Sequence, residues 1–169
     1  MRWDALFEDL EAQAESLARE SLHLEVAERT RGERAGISLA ARLAGSRGAA
    51  VTVALADGTH SSGVVHDTGQ DWVLLADGPR QRLVALSAVA AIDGLAAQAA
   101  TLTAVESRLG MAGTLRALSR ARQRVAVHAG TVVVGLIASV GADHIDVVTD
   151  VPSRRWSVPT ASIREVVSA

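Results

Sequence analysis

The chain has 169 residues, of which 49% are hydrophobic and 21% charged, and its formal net charge is −2. This length and composition suffice for one ordinary domain, or for two small ones sharing a core, and exclude a wholly disordered chain. The net charge gives no overall electrostatic case for nucleic acid. The absence of cysteine excludes disulfides and thiolate chemistry.

The first residues and the composition also bear on where in the cell the protein is expected. No apolar run approaches the roughly 18 residues of a membrane span. The first residues, MRWDALFEDLEAQAESLARE, are acidic from the fourth position and have no apolar core typical of a secretory signal. We therefore expect a soluble, cytoplasmic protein with no membrane partner. All 17 basic residues are arginine, which is typical of a GC-rich bacterial genome.

Residues 1–35 are predicted to form a long amphipathic helix. Apolar side chains recur there at three- and four-residue steps, and acidic side chains occupy the other face. The apolar stripe comprises Trp3, Leu6, Phe7, Leu10, Ala14 and Leu17. Such a stripe would bind a protein partner or mediate self-association, with Trp3, Leu6, Phe7 and Leu10 as the contact residues.

Residues 36–95 are predicted to form a first unit of one helix and five strands. Ser38 is placed to cap a short helix, LAARLAG, which Gly45 and Gly48 close. From Val51 the apolar period changes to two, which is typical of strands. The predicted strands cover residues 51–55, 63–66, 72–75, 82–86 and 89–92.

The same order is predicted to occur a second time, after a linker at residues 96–108. A helix is expected over residues 111–122. Strands are then expected over residues 125–127, 131–138, 144–149, 156–158 and 163–167. The second unit therefore spans residues 109–169.

An internal repeat supports this duplication. The pattern G-T-x3-G-x5-G-x-D occurs twice, 72 positions apart, as Gly58, Gly63, Gly69 and Asp71 and then as Gly130, Gly135, Gly141 and Asp143. Glycines at two turns and inside a strand are typical of a small, strongly bent sheet. We therefore predict a mainly β protein with some helix: two tandem five-stranded barrels, each preceded by a short helix. Trp156, placed beside the position of Val84 in the repeat, is expected to be packed.

The first unit resembles the Sm-like family of small β-barrels. The stretch VTVALADGTHSSGVVHDTGQDWVLL matches the family's first signature, a V-x-V-x-L strand followed by a D-G turn, a glycine and a terminal V-L-L. The stretch ALSAVAAI, residues 85–92, is similar to the A-I-S-T-V-V of the family's bacterial RNA chaperones. The resemblance covers residues 38–94, and extends to residues 110–168 through the internal repeat. The chain also resembles proteins of actinobacteria.

The resemblance implies binding of single-stranded RNA, but the family's RNA-contacting residues are replaced. No R-G pair follows the third strand. The aromatic-Lys-His of the bacterial chaperones is here Arg82-Leu83-Val84. The resemblance therefore predicts the family's fold, as two tandem Sm-like or SH3-like barrels, without the family's RNA-binding site.

No residue pattern predicts an enzyme, a metal or a cofactor. Asp71 and Asp143 recur in the repeat, but each follows a turn glycine and precedes an apolar strand, a place where a carboxylate caps turn amides. The alternative, a pair of catalytic carboxylates, has little support. The histidines show no metal-ligand spacing, and nucleophile-elbow and phosphate-loop motifs are absent.

Five arginines and no acid lie in residues 107–124, whereas residues 1–28 carry eight acids and two arginines. Arg116, Arg120 and Arg124 are four apart and are predicted to form one ridge on a helix that, with Arg108, contacts phosphates. The alternative is that the basic segment pairs with the acidic one. Trp72 would stack a base beside the turn that precedes its strand; the alternative is that Trp72 is a core anchor.

Three classes of function remain open from the sequence. The most specific is a non-enzymatic, RNA-associated Sm-like module. The second is a protein-interaction or assembly module that acts through the N-terminal helix without nucleic acid. The third is an enzyme or small-ligand protein.

Overall fold

The computed structural model describes Arg19 and residues 35–169. The chain divides into two compact units, residues 1–37 and residues 38–169. The architecture that follows is that of the second unit. The predicted N-terminal helix, with its contact residues Trp3, Leu6, Phe7 and Leu10, lies outside the described residues.

Residues 38–169 form three α-helices, ten strands and two short 3₁₀ turns. The helices are α1 (Leu39–Gly45), α2 (Ala104–Arg108) and α3 (Met111–Arg120). The strands of the first half, residues 38–95, are β1 (Ala50–Leu55), β2 (His60–Thr68), β3 (Trp72–Asp77), β4 (Arg80–Ala85) and β5 (Val89–Asp93). Those of the second half, residues 109–169, are β6 (Arg124–His128), β7 (Val132–Val140), β8 (His144–Thr149), β9 (Arg154–Pro159) and β10 (Glu165–Ser168).

All ten strands belong to one antiparallel sheet in the order β5-β1-β2-β3-β4-β10-β6-β7-β8-β9. The prediction of a mainly β protein with some helix is confirmed. The sheet is continuous across the two halves and is not closed. Two separate barrels are therefore not confirmed.

The two halves repeat the same strand pairing. The five strands of each half have equivalent neighbours, β5-β1-β2-β3-β4 in the first and β10-β6-β7-β8-β9 in the second. An irregularity in register falls between Val65 and Asp67 in β2 and, 72 positions later, between Ile137 and Ser139 in β7. Shared order and shared bulges support the internal duplication that the glycine pattern predicted.

The strand glycines lie where the neighbouring strand comes too close for a side chain. Gly63 in β2 pairs with Val51, and a Cβ on it would lie 2.8 Å from the carbonyl oxygen of Ala76. Gly135 occupies the same place in β7, and a Cβ there would collide with the carbonyl oxygen of Val148. These glycines therefore permit the bends of β2 and β7.

Each half packs a helix against its second strand. Helix α1 is capped at its start by Ser38, whose hydroxyl accepts from the Ala41 amide at 3.1 Å, and it packs on β2 and β3. Helix α3 packs on β7, with Met111 and Leu115 buried. The fully buried side chains of both halves belong to one hydrophobic core: Leu43, Val53, Val65, Val73, Leu75, Val84, Leu115, Val125, Val127, Ile145, Val147 and Ile163.

The segment predicted as a linker, residues 96–108, is partly structured and attached to the first half. The Ala96 amide donates to the Ser46 hydroxyl, and the Ala100 amide donates to the Ala41 carbonyl, both at 2.9 Å. Its last residues form α2, closed at the start by a capping box between Thr103 and Glu106. The segment therefore lies along α1 before the chain enters the second half.

Candidate functional site

The predicted arginine ridge is only partly on a helix. Helix α3 ends at Arg120, and Arg122 adopts a positive φ of 50°, which stops the helix and turns the chain into β6. Arg116 and Arg120 remain one turn apart, and both are exposed. Arg124 instead begins β6, so the prediction that Arg116, Arg120 and Arg124 share one helix is wrong for Arg124.

The arginines also differ in their partners. The Arg124 guanidinium forms an ion pair with the Asp150 carboxylate. In the part of the chain that the structure describes, Arg108, Arg116 and Arg120 have no acidic partner. The alternative, in which the basic segment pairs with the acidic residues of the N-terminal segment, concerns residues outside the described part.

Trp72 is a core residue. The residue is 3% exposed, and its indole Nε1–H donates to the Leu109 carbonyl at 2.7 Å. Gly69 lies against the indole so closely that a Cβ there would collide with it. The core alternative for Trp72 is therefore confirmed, and its ring has no free face for a base.

Asp71 caps a helix and not a turn. Its Oδ1 accepts the Met111 amide at 2.9 Å, at the first residue of α3. A carboxylate at this end is favoured by the unpaired amides and by the helix dipole. Together with the Trp72–Leu109 bond, this contact fastens the β2–β3 loop to the start of α3.

Asp143, the repeat equivalent of Asp71, has a different partner. Its Oδ1 lies 2.8 Å from Nδ1 of His144. This hydrogen bond lowers the pKa of Asp143 and raises the pKa of His144 from their ordinary values. Asp71 and Asp143 do share a backbone hydrogen bond. The Asp71 carbonyl accepts from the Leu86 amide, and the Asp143 carbonyl accepts from the Thr160 amide.

The most buried charge among the described residues lies where the two halves meet, and the sequence did not predict it. Glu165, at the start of β10, has a side chain that is 7% exposed. It accepts a hydrogen bond of 2.5 Å from the Ser61 hydroxyl of β2. Its Oε1 lies 3.5 Å from Arg82 Nη1 and 3.7 Å from His128 Nδ1. We call Ser61, Arg82, His128 and Glu165 the junction cluster.

Two clefts flank the junction cluster. One, of about 510 Å³, is lined by Arg80, Arg82, His128 and the chain end at Ala169. The other, of about 320 Å³, is lined by residues that include His60, His128, Arg164 and Glu165. The Arg82 Nε is buried and has no hydrogen-bond partner among the described residues. One feature of the sequence could have indicated the junction cluster: Glu165 is a lone acid beside the apolar residues Val166 and Val167 of its strand.

Apolar side chains are exposed on the second half. Val132, Val134 and Leu136 alternate along β7 and are between 37% and 55% exposed. Trp156 in β9 is 44% exposed, so the prediction that it is packed is wrong. The reason is register: Val158 pairs with Ile145 as Val84 pairs with Val73, and therefore Val158, not Trp156, is the equivalent of Val84.

Comparison with known proteins adds no relative: no protein-family model matches the chain, and no curated protein matches its sequence. Among the described residues, no helix is long and apolar enough to cross a membrane. Within the same residues, no group of three or more histidines and acids is placed to hold a metal ion.

Proposed function

We propose that this chain is a non-enzymatic binding module of the Sm-like type that binds single-stranded RNA through Arg108, Arg116 and Arg120. The observation that carries the proposal is the exposure of Arg116 and Arg120, one helical turn apart, without an acidic partner in the described part of the chain. A guanidinium presents several N–H donors in a planar fork that matches phosphate oxygens. Arg124 and Trp72 are left out of this surface because the first is paired with Asp150 and the second is buried.

Binding through phosphates makes the affinity depend on salt and not on sequence. Each phosphate neutralised on a single strand contributes roughly 0.7 to the slope of log affinity against log salt. We therefore expect uridine-rich and adenine-rich strands to bind about equally, because contacts to phosphate oxygens carry no information about the bases.

The test is fluorescence polarisation of labelled single-stranded RNA, from about 0.05 M to about 0.3 M salt. Arg116→Glu is expected to weaken binding and to reduce the slope by about 0.7. The matched control is Arg80→Glu, which makes the same change in charge at an exposed arginine of β4. Equal losses in both variants would indicate nonspecific attraction, and flat polarisation at the lowest salt would rule out RNA binding.

A protein-interaction or assembly module is the second candidate. The exposed apolar row Val132, Val134 and Leu136, on one face of β7, favours it, since exposed apolar patches mark interaction surfaces. The contact residues predicted for this function were Trp3, Leu6, Phe7 and Leu10. Making them polar is expected to abolish binding of a protein partner or self-association, measured by light scattering, and to leave RNA binding unchanged.

A further inference from the structure

A cavity of about 90 Å³ lies between helix α3 and the strands at which the two halves meet. The residues that line it come from α3, the turn after it, β3, β4, β6 and β10: Leu74, Gln81, Leu83, Thr114, Leu118, Gln123, Val125, Val166 and Ser168. Leu83, Val125 and Val166 are buried, whereas Gln81 and Gln123 are exposed. The cavity therefore has an apolar floor and a polar mouth. Close-packed protein interiors seldom leave a space of this size.

Helices α1 and α3 occupy equivalent places in the repeat. Their first residues are 72 positions apart, which is also the spacing of the glycine pattern. Leu43 of α1 and Leu115 of α3, again 72 apart, are both fully buried. A residue on or beside α1 therefore corresponds to the residue 72 positions later on α3.

In the first half, the chain itself covers the side of α1 that corresponds to the cavity. Leu95 is half-buried and packs on the hydrophobic core. The Ala96 amide donates to the Ser46 hydroxyl at 2.9 Å, and the Ala96 carbonyl accepts from Arg42 Nη2 at 3.2 Å. Arg42 and Ser46 lie 72 positions before two of the residues that line the cavity. A leucine and the peptide unit after it thus lie, in the first half, where the second half has the cavity.

The two halves differ here because of the residue that follows their last strands. Ile92 and Val166 pair with equivalent residues of β1 and β6, so Gly94 and Ser168, two positions later, correspond to each other. Gly94 has a φ of 87°, a conformation that turns the chain out of β5. Ser168 instead remains in β10, paired with Val125. The second half therefore has no turn toward α3 at this place.

We propose that the cavity binds a leucine-sized side chain of an extended segment from a partner protein, in the way that Leu95 and Ala96 cover α1. Pockets for drug-sized molecules are typically about 300–1,000 Å³, and an apolar cavity of about 150 Å³ admits benzene. A volume of about 90 Å³ therefore suits one aliphatic side chain.

The absence of charge around the cavity decides between a free amino acid and a peptide. Among the described residues that line it, none carries a charged side chain. A free leucine would bring an ammonium and a carboxylate to this surface, and both would lose water without gaining an ionic partner. A leucine within a peptide brings neutral amides instead. The ligand is therefore a residue of a chain.

The polar mouth offers partners for those amides. Each glutamine side chain carries two N–H donors and a carbonyl acceptor. Among the described residues, the side-chain amides of Gln81 and Gln123 form no hydrogen bond. The Ser168 hydroxyl accepts from the Gln81 backbone amide at 2.9 Å and keeps its own hydrogen to donate. A peptide that enters the cavity thus meets both donors and acceptors.

The likeness to the first half ends one peptide unit after the leucine. Gly45 lies so close to the segment beyond Ala96 that a Cβ there would collide with the Gln98 carbonyl oxygen. Helix α3 has Ala117 at the corresponding position. A partner segment must therefore leave α3 at this point, and the contact is small. We expect a dissociation constant on the order of 1 mM for a short peptide.

The test is an NMR titration of the ¹⁵N-labelled chain with an acetylated and amidated peptide, DGLAAQ, which copies residues 93–98. The amides of Leu118 and Gln123 are expected to shift. The same peptide with alanine in place of leucine should bind at least about tenfold weaker, because it buries less apolar surface. Equal shifts with both peptides, or none with the leucine peptide at about 10 mM, would overturn the proposal.

The place of binding is read from the same spectra. The covalently attached segment that begins at Leu95 has a far higher effective concentration beside α1 than the added peptide. The amides of Ala41 and Ala100, which report on that segment, are therefore expected to stay unchanged. Shifts confined to Ala41 and Ala100 would assign the peptide to the first half and overturn the proposal.

Thr114→Phe tests the cavity from the side of the protein. The larger ring would occupy the mouth, and the shifts caused by the leucine peptide are expected to disappear. Ala117→Phe is the matched control, since it adds the same ring at an exposed position of the same helix, outside the cavity. Undiminished binding by the Thr114 variant would contradict the proposal. If that variant does not fold, the leucine and alanine peptides on the natural chain still decide.

The proposal goes beyond both candidate functions. Arg116 and Arg120 do not line the cavity, and the N-terminal contact residues are not used. RNA polarisation and the peptide titration can therefore fail separately. Peptide binding by a chain that does not bind RNA would remove the RNA proposal alone, and the reverse result would remove the cavity proposal alone.

Discussion

Ser61 in β2 and Glu165 in β10 are 104 positions apart, yet the Ser61 hydroxyl donates a 2.5 Å hydrogen bond to the Glu165 carboxylate. Both residues are buried, at 1% and 5% exposure. A buried carboxylate is costly unless its oxygens are paired. The bond therefore ties the first half to the last strand of the second.

Ser61→Ala tests the junction cluster. The variant leaves the buried Glu165 carboxylate without its shortest bond, and we expect the free energy of unfolding to fall by about 2 kcal/mol. Ser62→Ala is the matched control, since Ser62 is exposed and, among the described residues, its hydroxyl bonds to Thr52 alone. It is expected to cost under about 0.5 kcal/mol. Urea unfolding followed by tryptophan fluorescence measures both. Equal losses would contradict a special role for Ser61.

The fold was largely predictable from residues because its signals are local. The period of two from Val51, the D-G turn at Gly58 and the Ser38 cap each depend on neighbours in sequence, and every predicted strand of residues 38–169 overlaps one in the structure. The joining of the halves was not predictable, because β4 and β10 meet through pairing between distant segments. An internal repeat predicts which helices and strands each half contains, but it does not predict how the strands of the two halves pair in one sheet.

The candidate site was less predictable for the same reason. Ser61, Arg82, His128 and Glu165 come from four strands and form no sequence motif. The arginine pattern was visible, but its four-residue spacing ran past the end of the helix at Arg120. The spacing alone could not show that Arg122 would take a left-handed conformation and direct Arg124 into β6.

Gly135→Ala is expected to destabilise the second half. The new Cβ would collide with the Val148 carbonyl oxygen, which is backbone and cannot rotate away, so the bend in β7 must open. Overpacking of this kind costs about 1 to 3 kcal/mol. Thermal unfolding of this variant measures the loss.

Gly113→Ala provides a comparison for this result. Among the described residues, its Cβ would meet the Leu109 side chain, with Cδ1 at 2.8 Å and Cγ at 3.8 Å, and the closer atom is the end of a flexible side chain. Alanine also favours a helix interior, so the net change is expected to be small. A loss at Gly113 as large as that at Gly135 would contradict the bend explanation.

Asp71→Ala is expected to loosen the start of α3. The variant removes the acceptor of the Met111 amide, and loss of such a cap costs about 1 kcal/mol. Hydrogen exchange should then quicken at the first amides of α3. Asp77→Ala removes an exposed carboxylate at the end of β3 and serves as the control. Unchanged exchange at Met111 in the Asp71 variant would show that the cap is dispensable.

His144 should titrate above its ordinary range because its ring bonds to Asp143. The hydrogen bond raises the pKa of His144 and lowers that of Asp143. The raised histidine pKa gives a contribution to stability that is complete below about pH 6.5 and is lost as the pH rises through the folded value. The lowered aspartate pKa gives one that is present above about pH 4 and is lost as the pH falls through its folded value. The pair therefore contributes between these limits.

Proton NMR of the histidine ring measures this titration. Asp143→Asn keeps the side-chain shape and removes the charge, so the pKa of His144 is expected to fall toward its ordinary value. Asp93→Asn changes an exposed carboxylate on the other edge of the sheet and is expected to leave the His144 titration unchanged. An unaltered His144 curve in the Asp143 variant would show that the raised pKa has another origin, of which the nearby Asp146 carboxylate is the first to test.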